Sequence, residues 1–485
     1  MSLKSKTVQG ISWSLINNIS INGIQFVIGV ILARLLSPSE FGLIGMTAVF
    51  TAVARTFVDS GFSTALIRKK SCSQDEYSTV FYYNMFAGVI LYFLLFLLAP
   101  YISEFFNEER LTSIVRVIGI NLIILSIAQI QRTILIKNID FKRQAIITVI
   151  AKLSSGTIAI MLAFKGFGVW SLVVLELLRN VFESILLWVT GPWRPSFVFS
   201  LDAFRELFGF GSKMLASGLL NTIYQNIYNF VIGKYFSAAE LGFYTRARRF
   251  SELVSRNVNS IIQSVTFPIL ASIGDDNDRL RRNYKKLLMS SSLISATLSL
   301  IMAASAPALV IGLLGDKWST SIPYLQLLCF SGMLYPLHSL NLNILKVKGR
   351  SDLFLKLEVI KKLFAIPTII IGIKYGIIPM LFMVVLSSII AFFLNTYYSG
   401  HLINYGTYEQ IRNVAPSFIL ATIIALPVYL TGFIIELRPI YLLMIQGAVA
   451  VAGALLVGSV SDYEGVKEVR SVVLGYLRKL RREEL

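Results

Sequence analysis

The sequence contains few charged residues, few cysteines and few histidines for a chain of 485 residues. Charged residues make up 15% of the chain, whereas soluble domains carry about 25%, so a water-soluble fold is excluded. The two cysteines, Cys72 and Cys329, lie too far apart to indicate a disulfide framework. The two histidines, His338 and His401, are too few for a histidine-rich metal site.

Motifs for nucleotide hydrolysis and for common catalytic centres are also missing. The sequence has no GxxxxGKS/T, HExxH, CxxC or GxSxG pattern. We therefore expect a protein that is not an enzyme, that carries no cofactor or metal, and that does not draw energy from nucleotide hydrolysis.

Long apolar runs fill the chain instead. Hydrophobic residues make up 55% of the sequence and the mean hydropathy is +0.69. Runs of about 20 apolar residues, the length of a membrane-spanning helix, recur from end to end. The sequence predicts an all-α polytopic membrane protein with about 14 transmembrane helices. The predicted spans are 8–34, 41–66, 78–100, 111–136, 144–164, 168–190, 212–233, 241–271, 287–311, 321–345, 354–373, 376–398, 414–435 and 439–460.

The basic residues predict the orientation of these spans. If both termini are cytoplasmic, the inside segments hold 29 Lys and Arg residues and the outside segments hold 7. Cytoplasmic loops of membrane proteins carry such an excess. The net charge of +18 then reflects topology and contact with anionic lipid rather than nucleic-acid binding.

A short internal repeat predicts two related halves. The letters FVIG occur at 26–29 and 230–233, and each copy is followed by SxxExG, which begins at Ser37 and Ser237. Ser-x-x-Glu before a helix is a capping box, so each copy predicts the start of the second helix of its half. Because each half has six spans, the two lobes would share orientation and be related by a pseudo-two-fold axis along the membrane normal.

The predicted organisation therefore has four parts. They are an N-terminal lobe at 1–200, a C-terminal lobe at 201–400, two further spans at 401–460, and a basic amphipathic tail at 461–485 on the cytoplasmic surface.

Several segments resemble one transporter family. They are GISWSLINN at 10–18, ILARLLSPSEFGLIGM at 31–46, FVDSGFSTALIRKK at 57–70 and LGFYTRARRFSELVSRNVNSIIQSVTFPILASI at 241–273. They resemble the Wzx-type polysaccharide flippases of the multidrug/oligosaccharidyl-lipid/polysaccharide exporter superfamily, and are most similar to its lipopolysaccharide or colanic-acid exporter branch. The resemblance implies a multi-pass protein of the bacterial inner membrane that moves an undecaprenyl-pyrophosphate-linked oligosaccharide by alternating access, for cell-surface polysaccharide biosynthesis. It implies lipid-linked oligosaccharide and membrane lipids as partners, and polysaccharide polymerase machinery as a further candidate.

Charged residues inside the predicted spans point independently to an anionic cargo. With residues in loops and at span ends set aside, nine basic residues face only four acidic ones there, and charges at this depth usually face a bundle interior or a wet cavity. The excess predicts a cationic cavity, and guanidinium groups suit pyrophosphate because their planar donors engage two oxygens together. The predicted substrate-binding residues are Arg246, Arg249, Arg256, Arg55, Lys152 and Arg179.

The eighth span has the clearest spacing. Arg246, Arg249 and Arg256 fall near one helix face. Glu252 is four residues from both Arg248 and Arg256 and could bridge them. The alternative for Arg246 and Arg248 is that they extend to the periplasmic headgroups.

Amide side chains recur in the first helix of each half. Asn22, Gln25, Asn226 and Asn229 are candidates for binding sugar hydroxyls, and hydrogen bonding between helices is the alternative.

Three carboxylates are candidates for coupling to a proton or sodium gradient: Asp59, Glu176 and Glu183. Asp59 lies four residues after Arg55, so a permanent structural ion pair between them is the alternative.

Three other functions remain open at this point. The first is a non-transporting assembly scaffold, in which buried charge without cargo is an unexplained cost. A drug/cation antiporter of the same superfamily shares the topology, although a cationic cavity repels cationic drugs. A membrane polysaccharide polymerase or ligase ordinarily has a large periplasmic loop, whereas the predicted outside segments are short.

Overall fold

The computed structural model describes residues 21–471, apart from the side chains of residues 261, 264 and 265. Its regular elements in that range are helices, and they form two compact units, the first ending at Thr245 and the second beginning at Arg246. The first unit contains α1 (Ile21–Leu35), α2 (Pro38–Asp59), α3 (Phe62–Arg68), α4 (Gln74–Phe106), α5 (Arg110–Gly119), α6 (Asn121–Lys137), α7 (Phe141–Phe164), α8 (Val169–Thr190), α9 (Leu201–Tyr235) and the start of α10 (Ala238–Ser272). The second contains the rest of α10, then α11 (Asn277–Ala304), α12 (Ala306–Leu314), a 3-10 turn (Asp316–Trp318), α13 (Ser321–Gly332), α14 (Tyr335–Val347), α15 (Ser351–Leu363), α16 (Ala365–Tyr375), α17 (Ile377–Ile403), α18 (Thr407–Ile434), α19 (Pro439–Val460) and α20 (464–471).

The predicted all-helical membrane architecture is confirmed. Within residues 21–471, eight helical segments are long and apolar enough to cross a membrane: α2, α4, α5 with α6, α7, α11, α17, α18 and α19. The remaining predicted spans fall on helices that are polar or interrupted, and the first predicted span lies only partly within the described residues. Residues 8–20 of the first span and 472–485 of the basic tail lie outside the described residues.

Two serine caps start helices at the positions that the repeat predicts. Ser37 caps α2 with a complete capping box, in which the Glu40 carboxylate accepts a hydrogen bond from the Ser37 backbone N–H. The Ser237 hydroxyl accepts a hydrogen bond of 3.2 Å from the backbone N–H of Glu240 at the start of α10. Glu40 and Glu240 thus each lie in the first turn of a serine-capped helix, while the superposition of the two halves, with these positions equivalent, stays a prediction.

A sharp break separates α2 from α3. Ser60 and Gly61 both have left-handed backbone conformations, with φ of 44° and 73°. The break packs tightly against α9, because a Cβ atom added to Gly61 would lie 2.6 Å from the carbonyl oxygen of Gly211. The Ser60 hydroxyl also lies 2.8 Å from the hydroxyl of Tyr83. The end of α2, and with it Asp59, is thus held in a fixed place.

Candidate functional site: charged groups on membrane helices

One face of α10 is buried, and the arginines of this helix lie outside that face. Ala247, Phe250, Ser251 and Ser255 are buried, at the spacing of a single helix face. The hydroxyl of Ser251 donates a 3.0 Å hydrogen bond to the carbonyl oxygen of Leu328 in α13. Because this serine-rich face packs against α13, the intervening arginines are directed elsewhere.

The predicted bridge on α10 is confirmed. One carboxylate oxygen of Glu252 lies 2.8 Å from Nε of Arg248 and 2.9 Å from Nη2 of Arg256. Arg256 remains 54% exposed in spite of this contact. Its guanidinium is therefore oriented by a neighbour and still accessible.

Unlike Arg248 and Arg256, Arg249 makes no ion pair within residues 21–471. Its side chain is exposed, and Arg246 is half-buried one turn before it. Between Arg246 and Arg256 the helix carries four arginines and a single glutamate, which leaves a net charge of +3. If α10 spans the membrane as the sequence predicts, the exposed guanidinium groups of Arg249 and Arg256 face water or an anion.

The first unit holds a second group of charges, contributed by α2, α6 and α8. Arg132 of α6 donates to the carboxylate of Glu183 in α8 at 2.5 Å. Arg55 of α2 interacts electrostatically with Glu176 and Arg179 of α8, as well as with that ion pair. The structure thus brings together Arg55, Arg179, Glu176 and Glu183, which the sequence proposed separately.

Lys152 is joined to one of the amide candidates. Its ammonium group donates a 3.0 Å hydrogen bond to Oε1 of Gln25. Asn226 donates to the carbonyl oxygen of Thr222 in its own helix. Asn229 is buried, and its side-chain oxygen has no hydrogen-bond partner among the described residues. A shared amide site formed by the four candidates stays a prediction.

The ion pair between Arg55 and Asp59, which the sequence left open as an alternative, is not formed in the described structure. Oδ1 of Asp59 instead accepts hydrogen bonds from the hydroxyl of Ser63 and from Nε2 of Gln129. Arg55 lies with the charges of α8. The i, i+4 spacing permitted the ion pair, but donors from α3 and α6 hold the carboxylate.

Sequence reasoning missed four residues of these clusters. The predicted site residues do not include Arg132, Ser63, Gln129 or Thr133, and no motif marks them. A signal was present in α6, where Gln129, Arg132 and Thr133 follow i, i+3, i+4 spacing and so share a face.

Comparison with known proteins identifies the family. Residues 31–323 match the family model described as polysaccharide biosynthesis protein. The chain is 29% identical over 355 residues to teichuronic acid biosynthesis protein TuaB of Bacillus subtilis (strain 168), covering 73% of each chain. It is 29% identical over 374 residues to lipopolysaccharide biosynthesis protein WzxC of Escherichia coli (strain K12), covering 77% of this chain and 76% of that protein.

A solved structure supports the fold. The chain is similar to the lipid II flippase MurJ in an inward closed conformation, with a TM-score of 0.75 and 13% identity over 93% of this chain and 98% of that one. At this identity the likeness is one of fold. Because the family match covers more than half of the chain, this multi-pass helical membrane protein belongs to the polysaccharide biosynthesis protein family.

Proposed function

We propose that this protein is a flippase that moves a polyprenyl-pyrophosphate-linked oligosaccharide across the bacterial inner membrane by alternating access. Membership of the family, together with similarity to the teichuronic acid biosynthesis protein TuaB and the lipopolysaccharide biosynthesis protein WzxC, supports a role in making cell-surface polysaccharide. The lipid-linked cargo is proposed from the arginines of α10 and from an apolar cavity in the second unit.

The observation that carries this proposal is the arginine surplus of α10. Exposed Arg249 has no ion pair among the described residues, and Arg256 shares Glu252 with Arg248. Planar guanidinium groups engage two phosphate oxygens at once. A pyrophosphate supplies the negative charge that this stretch lacks, whereas a cationic drug would be repelled by it.

An apolar cavity in the second unit suits the lipid part of such a cargo. It has a volume of about 710 Å³ and lies among α11, α13, α17 and α18. Leu300, Phe330, Phe382 and Leu426 are among its mainly apolar lining residues. An isoprenoid chain would gain free energy there in proportion to the area it buries.

The orientation follows from the distribution of basic residues. We place both termini in the cytoplasm, since the predicted inside segments hold 29 Lys and Arg residues and the outside segments 7. The pyrophosphate would then be collected from the cytoplasmic leaflet. On the opposite side of the membrane, polysaccharide polymerase machinery would receive the translocated oligosaccharide.

Transport by reconstituted vesicles tests the proposal. The wild-type chain should move a fluorescent undecaprenyl-pyrophosphate oligosaccharide between leaflets, and Arg249→Gln should slow this about tenfold or more, because losing a charge-assisted pyrophosphate contact costs about 1.5–3 kcal/mol. Arg249→Lys should be partly active, since charge survives without the planar donors.

Arg279→Gln, the same change at an exposed position, is the matched control. Normal flipping by Arg249→Gln would refute the assigned role of α10, and no flipping by the wild type would refute the function.

A further inference from the structure

Two neighbouring helical segments of the second unit expose apolar stripes. The α15–α16 stripe follows one helix face and consists of Leu355, Val359, Leu363, Ile366, Ile370 and Ile373. The α17 stripe follows one face of α17 and consists of Ile378, Phe382, Leu386, Ile389, Phe393 and Tyr397. Because α17 is long and apolar enough to cross a membrane and α16 packs along it, both stripes face the lipid.

Both stripes have about the length of the hydrocarbon layer. At about 1.5 Å per residue, Leu355 to Ile373 covers about 27 Å and Ile378 to Tyr397 about 28 Å, against about 30 Å of hydrocarbon in a bilayer. Leu355 and Tyr397 mark the same boundary, because the residues next to them touch: Nζ of Lys356 lies 5.5 Å from the ring centre of Tyr398. Polar side chains at this end of the stripes therefore lie at the level of the lipid headgroups.

Four polar side chains form a row at this boundary. The row starts at Lys356, whose ammonium group stands over the ring of Tyr398. The ring centre of Tyr397 lies 5.3 Å from that of Tyr398 and 4.9 Å from that of His401. Lys356, Tyr397 and His401 are exposed. The row joins α15 to α17 and presents an ammonium, phenol and imidazole groups, all of which donate hydrogen bonds.

Neighbouring carboxylates do not neutralise Lys356. Within residues 21–471 this lysine makes no ion pair, whereas Asp352 pairs with Arg350 and Glu358 pairs with Lys361. Lys361, six residues after Leu355, lies on the far side of α15 from the α15–α16 stripe. The row thus carries a positive charge at headgroup level, beside two faces that meet lipid tails.

An anionic phospholipid complements this arrangement. Its phosphodiester accepts charge-assisted hydrogen bonds from an ammonium group, and its acyl chains match apolar faces of hydrocarbon length. The proposed orientation places this end of α15 and α17 in the cytoplasmic leaflet, where basic pockets between transmembrane helices bind anionic headgroups. We propose that Lys356, Tyr397 and His401 bind the headgroup of an anionic phospholipid whose acyl chains lie along the two stripes. The site is separate from the arginines of α10.

Lipid binding to the purified full-length protein tests the site. Native mass spectrometry of the detergent-solubilised chain is titrated with dioleoylphosphatidylglycerol and with dioleoylphosphatidylcholine, which has the same acyl chains and no net charge. The wild type should bind phosphatidylglycerol more tightly. Lys356→Gln should weaken that binding about fivefold, equivalent to about 1 kcal/mol, and leave phosphatidylcholine binding unchanged. Lys356→Arg should bind like the wild type, because the cation remains.

Lys213→Gln, the same change at an exposed position in the first unit, is the matched control and should bind phosphatidylglycerol like the wild type. Equal losses in Lys213→Gln and Lys356→Gln would show an unspecific effect of charge and overturn the site, as would an unchanged affinity in Lys356→Gln. Undecaprenyl pyrophosphate is the third lipid titrated. If Lys356→Gln weakens its binding and not that of phosphatidylglycerol, the row belongs to the cargo and the phospholipid site is wrong.

Discussion

Gly42 of α2 packs against the backbone at the start of α10, and Gly242 of α10 packs against the backbone at the start of α2. A Cβ atom added to Gly42 would lie 1.7 Å from the carbonyl oxygen of Ala238, and one added to Gly242 would lie 1.9 Å from that of Pro38. This reciprocal contact joins the starts of α2 and α10, which are capped by Ser37 and Ser237. A side chain of any size at either glycine forces these starts apart.

Gly42→Ala should therefore destabilise the protein, although alanine is the better helix former. Overpacking costs about 1–3 kcal/mol, which exceeds the gain of about 1 kcal/mol from replacing glycine in a helix. We expect a lower midpoint of thermal unfolding in detergent. Gly209→Ala, at a position with nothing within 4 Å of the added atom, is the control and should be neutral or stabilising. A higher midpoint for Gly42→Ala would contradict the close contact.

Removal of the serine caps should weaken the two helix starts to similar extents. Ser37→Ala and Ser237→Ala each lose a hydrogen bond to a backbone N–H, which costs about 1 kcal/mol. The measurement is the free energy of unfolding, compared with Ser459→Ala at an exposed position in α19. A much larger effect at one serine would show that the two starts are not equivalent.

Arg132→Gln should destabilise the first unit, because it leaves Glu183, whose side chain is 12% exposed, without its cation. An unpaired charged group of this kind costs about 1–3 kcal/mol. The double variant with Glu183→Gln should recover most of the loss, since neither charge remains. Arg110→Gln breaks a more exposed pair with Glu108 and serves as the control, with an expected effect of about 0–1 kcal/mol. Additive losses in the double variant would mean that the two residues are not coupled.

Glu252→Gln should strengthen the binding of inorganic pyrophosphate, because it removes the single acidic residue between Arg246 and Arg256. One such charge is worth about 1 kcal/mol at 4 Å in water, or about fivefold in affinity. Calorimetry on the detergent-solubilised protein measures the affinity for pyrophosphate. Glu436→Gln, the same change at an exposed position, is the control. Weaker binding would show that Glu252 matters more for orienting Arg248 and Arg256 than for its charge.

Interactions within one helix could be predicted from spacing, and those between helices could not. The bridge from Glu252 to Arg248 and Arg256 follows from i, i+4 spacing, and it forms. The same spacing between Arg55 and Asp59 gives no ion pair among the described residues. The difference is that donors from α3 and α6 reach Asp59, while Arg55 interacts with charges of α8.

The sequence by itself determined the all-helical membrane architecture and the capped starts of α2 and α10. Hydropathy and capping depend on residues close together in the chain, so they can be read without the fold. Only the tertiary structure decided that Arg132 pairs with Glu183, 51 residues away, and that Gly61 packs against Gly211 at the break beside Asp59. These contacts depend on which helices pack together, because many pairings satisfy the same hydropathy and only packing in three dimensions selects among them.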